Sequence, residues 1–144
     1  LMHFINEKWV KTGIELVDEQ HREYFKRLNT LLDKIEKSEL SDLDFMKCLG
    51  YFTNYAKVHF DTEELLMKIS SCPGLEEHMK AHAYFRENID RMSSALGKSK
   101  DIAGISGELK AFLFGWLENH INSYDLKMTK FLKGKMAEGN KETP

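Results

Sequence analysis

Between His59 and His82 the chain reads HFDTEELLMKISSCPGLEEHMKAH. His59 and Glu63 stand four apart, Cys72-Pro73-Gly74 interrupts, and His78 and His82 again stand four apart. Residues four apart lie one above the other on a single helix face. The stretch therefore predicts two consecutive helices joined by a short turn, each presenting a pair of metal-competent side chains. If they pack antiparallel, these imidazoles and the carboxylate converge between them. Few folds accept so many polar groups on facing helices, so this stretch limits what the rest of the chain can do.

The remaining sequence supplies partners for that pair. His21, Tyr24, Phe25, Leu28, Leu31, Leu32 and Ile35 fall at helical spacing and predict a helix over 18–37, with Asp18 as its N-cap. Ser38 to Ser41 breaks the pattern, and Ser41 with Asp44 resembles a capping box. A stripe of Phe45, Leu49, Phe52, Tyr55, Ala56, His59, Glu63, Leu66 and Met67 then runs to about residue 69. Pro73 fits the first turn of a third helix, whose inward face carries Leu75, His78, His82, Phe85, Ile89 and Met92, and Gly97 fits its end. After a polar loop over 97–107, Leu109, Phe112, Leu113, Trp116, Leu117, His120 and Ile121 predict a fourth helix reaching about Leu132. Each helix would be ~30 Å long, and short connections make neighbours antiparallel. The expectation is all-α: an up-down-up-down antiparallel four-helix bundle over residues 1–136, with an N-terminal arm over 1–17 anchored by Trp9 and a polar tail or linker over 137–144.

Composition removes several function classes. A net charge of -2 leaves no basic footprint for nucleic acid. No apolar run is long enough to span a membrane, and no secretory signal is expected. Cys48 and Cys72 form no CxxC pair; Cys48 reads as a small core residue, Cys72 as a turn residue, and both suit a reducing cytoplasm. Leu1 ahead of Met2 reads either as a residue left by cloning or as the edge of an excised domain, and the stretch after Lys135 is either a cut linker or a true end.

The chemistry lies in the histidines. Five of the six sit on the apolar faces just described: His21, His59, His78, His82 and His120. Glu63 and Asp125 share those faces. Unpaired in a core, these groups would be penalised severely by desolvation; gathered on metal, they make a site. The pair at 78–82 is HMKAH, and Met79 occupies the place where a zinc protease needs glutamate. Seven ligands exceed what one tetrahedral zinc takes. They suit two octahedral ions that share both carboxylates and one solvent-derived oxygen, with one position open. Imidazole with carboxylate favours iron, while spacing alone leaves manganese and zinc open. Neutral imidazoles donate less charge than carboxylates, so a histidine-rich pair favours the ferrous state. Phe60, Trp116, Leu117 and Ile121 adjoin the ligands and are candidates to wall the open position and keep water out. Tyr24, three after His21, is a further candidate whose hydroxyl either reaches the pocket or turns to solvent. His120 and Asp125 are five apart, which an ideal helix would splay by about 140°. Both must reach the metals, so a π-type turn is expected near 120–125.

Taken together, DEQH at 18–21, HFDTE at 59–63, HMKAH at 78–82 and WLENHINSYD at 116–125 resemble the hemerythrin family, in its bacteriohemerythrin form, from Trp9 to about Leu132. The resemblance implies a non-heme, oxygen-bridged pair of iron ions that binds O2 reversibly, and no enzyme activity. It implies that His78, His82 and His120 hold the coordinatively full iron, His21 and His59 the iron with the open position, and that Glu63 and Asp125 bridge both. It further implies storage, delivery or sensing of oxygen, sensing forms being fused to a signalling domain. Two readings compete: redox turnover of peroxide or nitric oxide at the same irons, and a metal-storage or structural bundle.

Overall fold

The computed structural model describes residues 12–99 and 101–142. They form helices α1 (Glu15–Glu36), α2 (Asp42–Ser70), α3 (Leu75–Ser99), α4 (Ile102–His120) and α5 (Leu126–Glu142), with a π-helical turn, Ile121–Asp125, between the last two. Helix α4, the π turn and α5 run on as one rod, so the architecture is a four-helix bundle, and no strand occurs among the described residues. The connections are short, which makes successive rods antiparallel neighbours. The proposed anchor Trp9 and most of the arm lie outside the described residues.

The helix ends differ from expectation in instructive ways. Asp18 is not an N-cap; Ile14 holds that position, and α1 begins three residues before Asp18, at Glu15. The Asp18 carboxylate instead reaches back, accepting from the Thr12 N–H and Thr12 Oγ1 at 2.6 Å each and from the Gly13 N–H at 3.1 Å. It secures the segment that enters the helix. Gly13 makes this possible with φ +92°, a region open to glycine. Ser41 does cap α2, its Oγ accepting from the Asp44 N–H at 3.1 Å. Pro73 lies in the turn rather than in α3, whose first helical bond from this region runs from the His78 N–H to the Gly74 carbonyl. Gly97 does not end α3, which continues to Ser99, and the expected loop is mostly helix because Asp101 caps α4 through the Gly104 N–H at 3.1 Å. Helix α5 passes the expected end at Leu132 and reaches Glu142.

Among the described residues the bundle has two apolar clusters. The larger gathers Tyr24, Phe25, Leu28, Phe45, Phe52, Phe60, Phe85, Ile89, Leu109, Leu113 and Leu117 from all four rods. The smaller holds Val17, Met67, Cys72, Met128 and Leu132. Each fully buried large side chain contributes roughly 1.5–3 kcal/mol. Cys72 stands in the turn between α2 and α3, as expected, and is buried there, while Cys48 is half-buried against the larger cluster; both are free thiols. No described helix is long and apolar enough to cross a membrane.

Candidate metal centre

Between the two apolar clusters lies a layer of buried histidines and carboxylates. His21 comes from α1, His59 and Glu63 from α2, His78 and His82 from α3, His120 from the end of α4 and Asp125 from the end of the π turn. All seven are buried, none more than 3% exposed. Their ligand atoms form two groups, each within 4.8 Å: Glu63, His78, His82, His120 and Asp125 in one, and His21, His59, Glu63 and Asp125 in the other. Both carboxylates belong to both groups.

The π turn makes this possible. The Leu126 N–H bonds to the Ile121 carbonyl five residues back, as a π-helix does. The wider turn rotates Asp125 toward the core, so that His120 Nε2 and Asp125 Oδ1 lie 3.0 Å apart. A regular α-helix would point them to different sides.

The donor set fits divalent metal. His21 Nε2 meets Asp125 Oδ2 at 2.9 Å, and His78 Nε2 lies 2.9 Å from Glu63 Oε2 and 3.3 Å from Asp125 Oδ1. His59 Nε2 lies against Glu63 Oε1, and His82 Nε2 is 3.6 Å from Glu63 Oε2. Yet Glu63 Oε1, His82 Nε2, His120 Nε2 and Asp125 Oδ1 make no hydrogen bond although buried. Atoms this close without hydrogen-bond angles point at shared space rather than at one another. Buried polar atoms are almost always satisfied, so orphans converging from three rods call for cations.

Further groups set the rings' orientation. His82 Nδ1–H donates to Glu64 Oε2 at 2.8 Å. A carboxylate accepts only, so the proton sits on Nδ1 and Nε2 keeps its lone pair for a metal. His59 Nδ1 has the same arrangement with Gln20 Oε1. Arg86 holds Glu64 from outside at 3.9 Å. Aromatic rings complete the cradle: Phe60 stacks on His82 at 3.9 Å, Trp116 on His120 at 4.3 Å, Tyr124 on His120 from 5.3 Å, and Tyr55 on His59 at 5.0 Å. Gln20, Glu64, Tyr55 and Tyr124 were not singled out from sequence. Gln20 and Glu64 carried a weak signal, since each is next to a candidate ligand in sequence and can accept a hydrogen bond.

Without metal, the layer is a web of ion pairs. Burial and the charge on Asp125 push Glu63 up, but His59 and His78 outweigh them and hold it ionised. Asp125 is likewise depressed by His120, His21 and His78 against its burial. Burial would lower His78, but Asp125 and Glu63 raise it to about 9. His82 is lowered, with burial as the largest cause. Carboxylates kept ionised beside imidazoles are the ligand forms a metal requires.

Of the candidate wall residues, Leu117 and Ile121 are buried in the larger cluster, while Phe60 and Trp116 lie on rings of the three-histidine group. Tyr24 is fully buried, so its hydroxyl does not turn to solvent. Its ring packs against Phe52, Tyr55 and Phe85.

The chain matches the family model described as the Hemerythrin HHE cation binding domain over residues 12–132. It is 25% identical over 138 residues to a bacteriohemerythrin of Pseudomonas paraeruginosa, covering 96% of this chain and 87% of that one. It is 30% identical over 122 residues to a myohemerythrin of Theromyzon tessulatum, covering 85% and 84% respectively. Against a hemerythrin of Themiste dyscrita the identity is 27% over 117 residues, 81% of this chain and 83% of the other. No solved structure matches it.

Proposed function

Because this chain belongs to the hemerythrin family, we propose that it binds O2 reversibly at a pair of iron ions. His78, His82 and His120 would hold one ion, His21 and His59 the other, and Glu63 and Asp125 would be shared between them. The observation that carries this reading is the presence of both carboxylates in two otherwise separate ligand groups. Two ferrous ions held there would supply the electrons that reversible oxygen binding needs.

The protein's part is to hold and to exclude. Glu64 and Gln20 fix the protons of His82 and His59 on Nδ1, so each ring offers Nε2. Unequal numbers of histidines leave room for a small ligand on the side of His21 and His59. Leu117, Ile121, Phe60 and Phe85 bury the layer from above and keep bulk water out. A dry wall disfavours escape of a charged or protonated reduced oxygen species, which is what reversibility requires. Storage, delivery and sensing all use this binding step; a sensor would pass it to a fused or partner signalling domain. The free thiols suit a reducing cytoplasm.

Anaerobic reconstitution with ferrous iron tests the proposal. The expected result is an absorption band that grows on adding oxygen and is fully lost under vacuum over repeated cycles. Sustained turnover of peroxide or nitric oxide, with no reversible oxygenated form, would instead assign a redox enzyme.

A further inference from the structure

Tyr24 and Tyr55 lie ring to ring with centroids 4.8 Å apart, on the helix pair that carries His21 and His59. Both hydroxyl oxygens are buried, and neither makes a hydrogen bond. A phenylalanine would fill the same space without leaving a polar atom unsatisfied. Buried hydroxyls without partners are costly and uncommon, so two in contact beside a ligand cluster ask for an acceptor.

The two phenols are not equivalent. Tyr55 stacks on His59, planes 20° apart, and His59 stands 5.0 Å from His21. Burial raises the Tyr55 hydroxyl well above its ordinary range, and the negative charges of Glu63 and Asp125 add to the effect. A phenol carries its proton at neutral pH in any case and can donate it. Tyr24 is raised by burial, then by Cys48 and Tyr51, which sit toward the far end of the bundle. Its neighbours are the rings of Phe25, Phe52 and Phe85. Because its ring stacks on His59 whereas Tyr24 packs on Phe25, Phe52 and Phe85, Tyr55 is the phenol nearer the metal layer and Tyr24 lies behind it.

Resting on the two-metal reading above, we propose that Tyr55 donates a hydrogen bond to the small ligand bound on the His21 and His59 side. A donor there favours ligands whose outer atom carries negative charge, which oxygen acquires on accepting electrons and azide carries from the start. It does little for a neutral ligand. This chain would then discriminate among small ligands by a hydrogen bond from its own side chain as well as by the size of an apolar pocket.

Azide is the probe, titrated into the oxidised, iron-loaded protein. Tyr55→Phe keeps the ring and removes only the donor, and the half-buried Tyr51→Phe controls for loss of a phenol elsewhere. The expected result is azide affinity lowered roughly tenfold in Tyr55→Phe, the size a hydrogen bond to a charged group supports, and unchanged in Tyr51→Phe. An independent readout is the ultraviolet tyrosine difference spectrum on azide binding, expected in the parent protein and absent from Tyr55→Phe. Equal azide affinity with equal iron content and intact oxygen cycling overturns the role of Tyr55 and leaves the two-metal reading standing. Weakened binding in Tyr24→Phe alone moves the donor to Tyr24 and also overturns it. A parent protein that takes up no iron removes both the centre and this inference.

Discussion

At His82 the position of one proton decides whether the ring can face a metal. Glu64 fixes it by accepting from Nδ1 at 2.8 Å. Glu64→Leu frees that ring to turn or change tautomer, and iron affinity is expected to fall about 10–100-fold, measured by competition with a chelator. An unchanged affinity would show that His82 needs no such acceptor. Tyr24 makes a contrary prediction. Its hydroxyl is buried without a partner, so Tyr24→Phe removes an unsatisfied group. Stability is expected to hold or rise by up to ~1 kcal/mol, read from the denaturant midpoint. A clear loss would reveal a hidden partner. The side chains that gather in the layer were legible at this scale because helical spacing and residue type coincide at 59, 63, 78 and 82. Tyr55 was not, because a tyrosine four before His59 reads as one more member of the apolar stripe. Nothing in the spacing tells a packed ring from one whose hydroxyl lacks a partner.

Helix α4 and its π turn act as one device. The five-residue interval between His120 and Asp125 was enough to predict the turn, since two ligands on one rod must face one way. Inserting one alanine after Asn122 lengthens the interval to six and should swing Asp125 off the layer by about 100°. The expected protein keeps its helical circular dichroism but no longer holds two irons per chain. Full iron content in that variant would show that the five-residue interval does not place Asp125. Helix ends were read less well, and Asp18 shows why. An acid at the start of an apolar period looks like a cap, yet here it binds backbone and side chain upstream, at Thr12 and Gly13. Asp18→Ala should cost about 1–3 kcal/mol, seen as a lower melting temperature. Gly97 misled in the same way, because the cap that matters, Asp101, lies beyond it.

The molecule as a whole is a polar layer enclosed by two apolar clusters, and its stability should depend on what fills the layer. Loaded with iron, the protein should melt at a higher temperature than the chelated form, since binding to the native state alone stabilises it. Acid should reverse loading. Imidazoles must be neutral to coordinate, and in the metal-free layer Asp125 and Glu63 keep a proton on His78 up to about 9. Metal uptake near neutral pH should therefore release protons, and affinity should climb with pH in that range; a pH-independent affinity would contradict the ligand assignment. The bundle itself was legible from periodicity over four long stretches, because apolar stripes on rods joined by short links have few ways to close. The direction of each aromatic ring was not, since it follows from packing among rods. Anomalous scattering from a crystal of the iron-loaded protein is the most direct test. Two iron peaks about 3.5 Å apart are expected, both bonded to Glu63 and Asp125, one with His78, His82 and His120 and the other with His21 and His59. A single peak, or two that do not share the carboxylates, would contradict it.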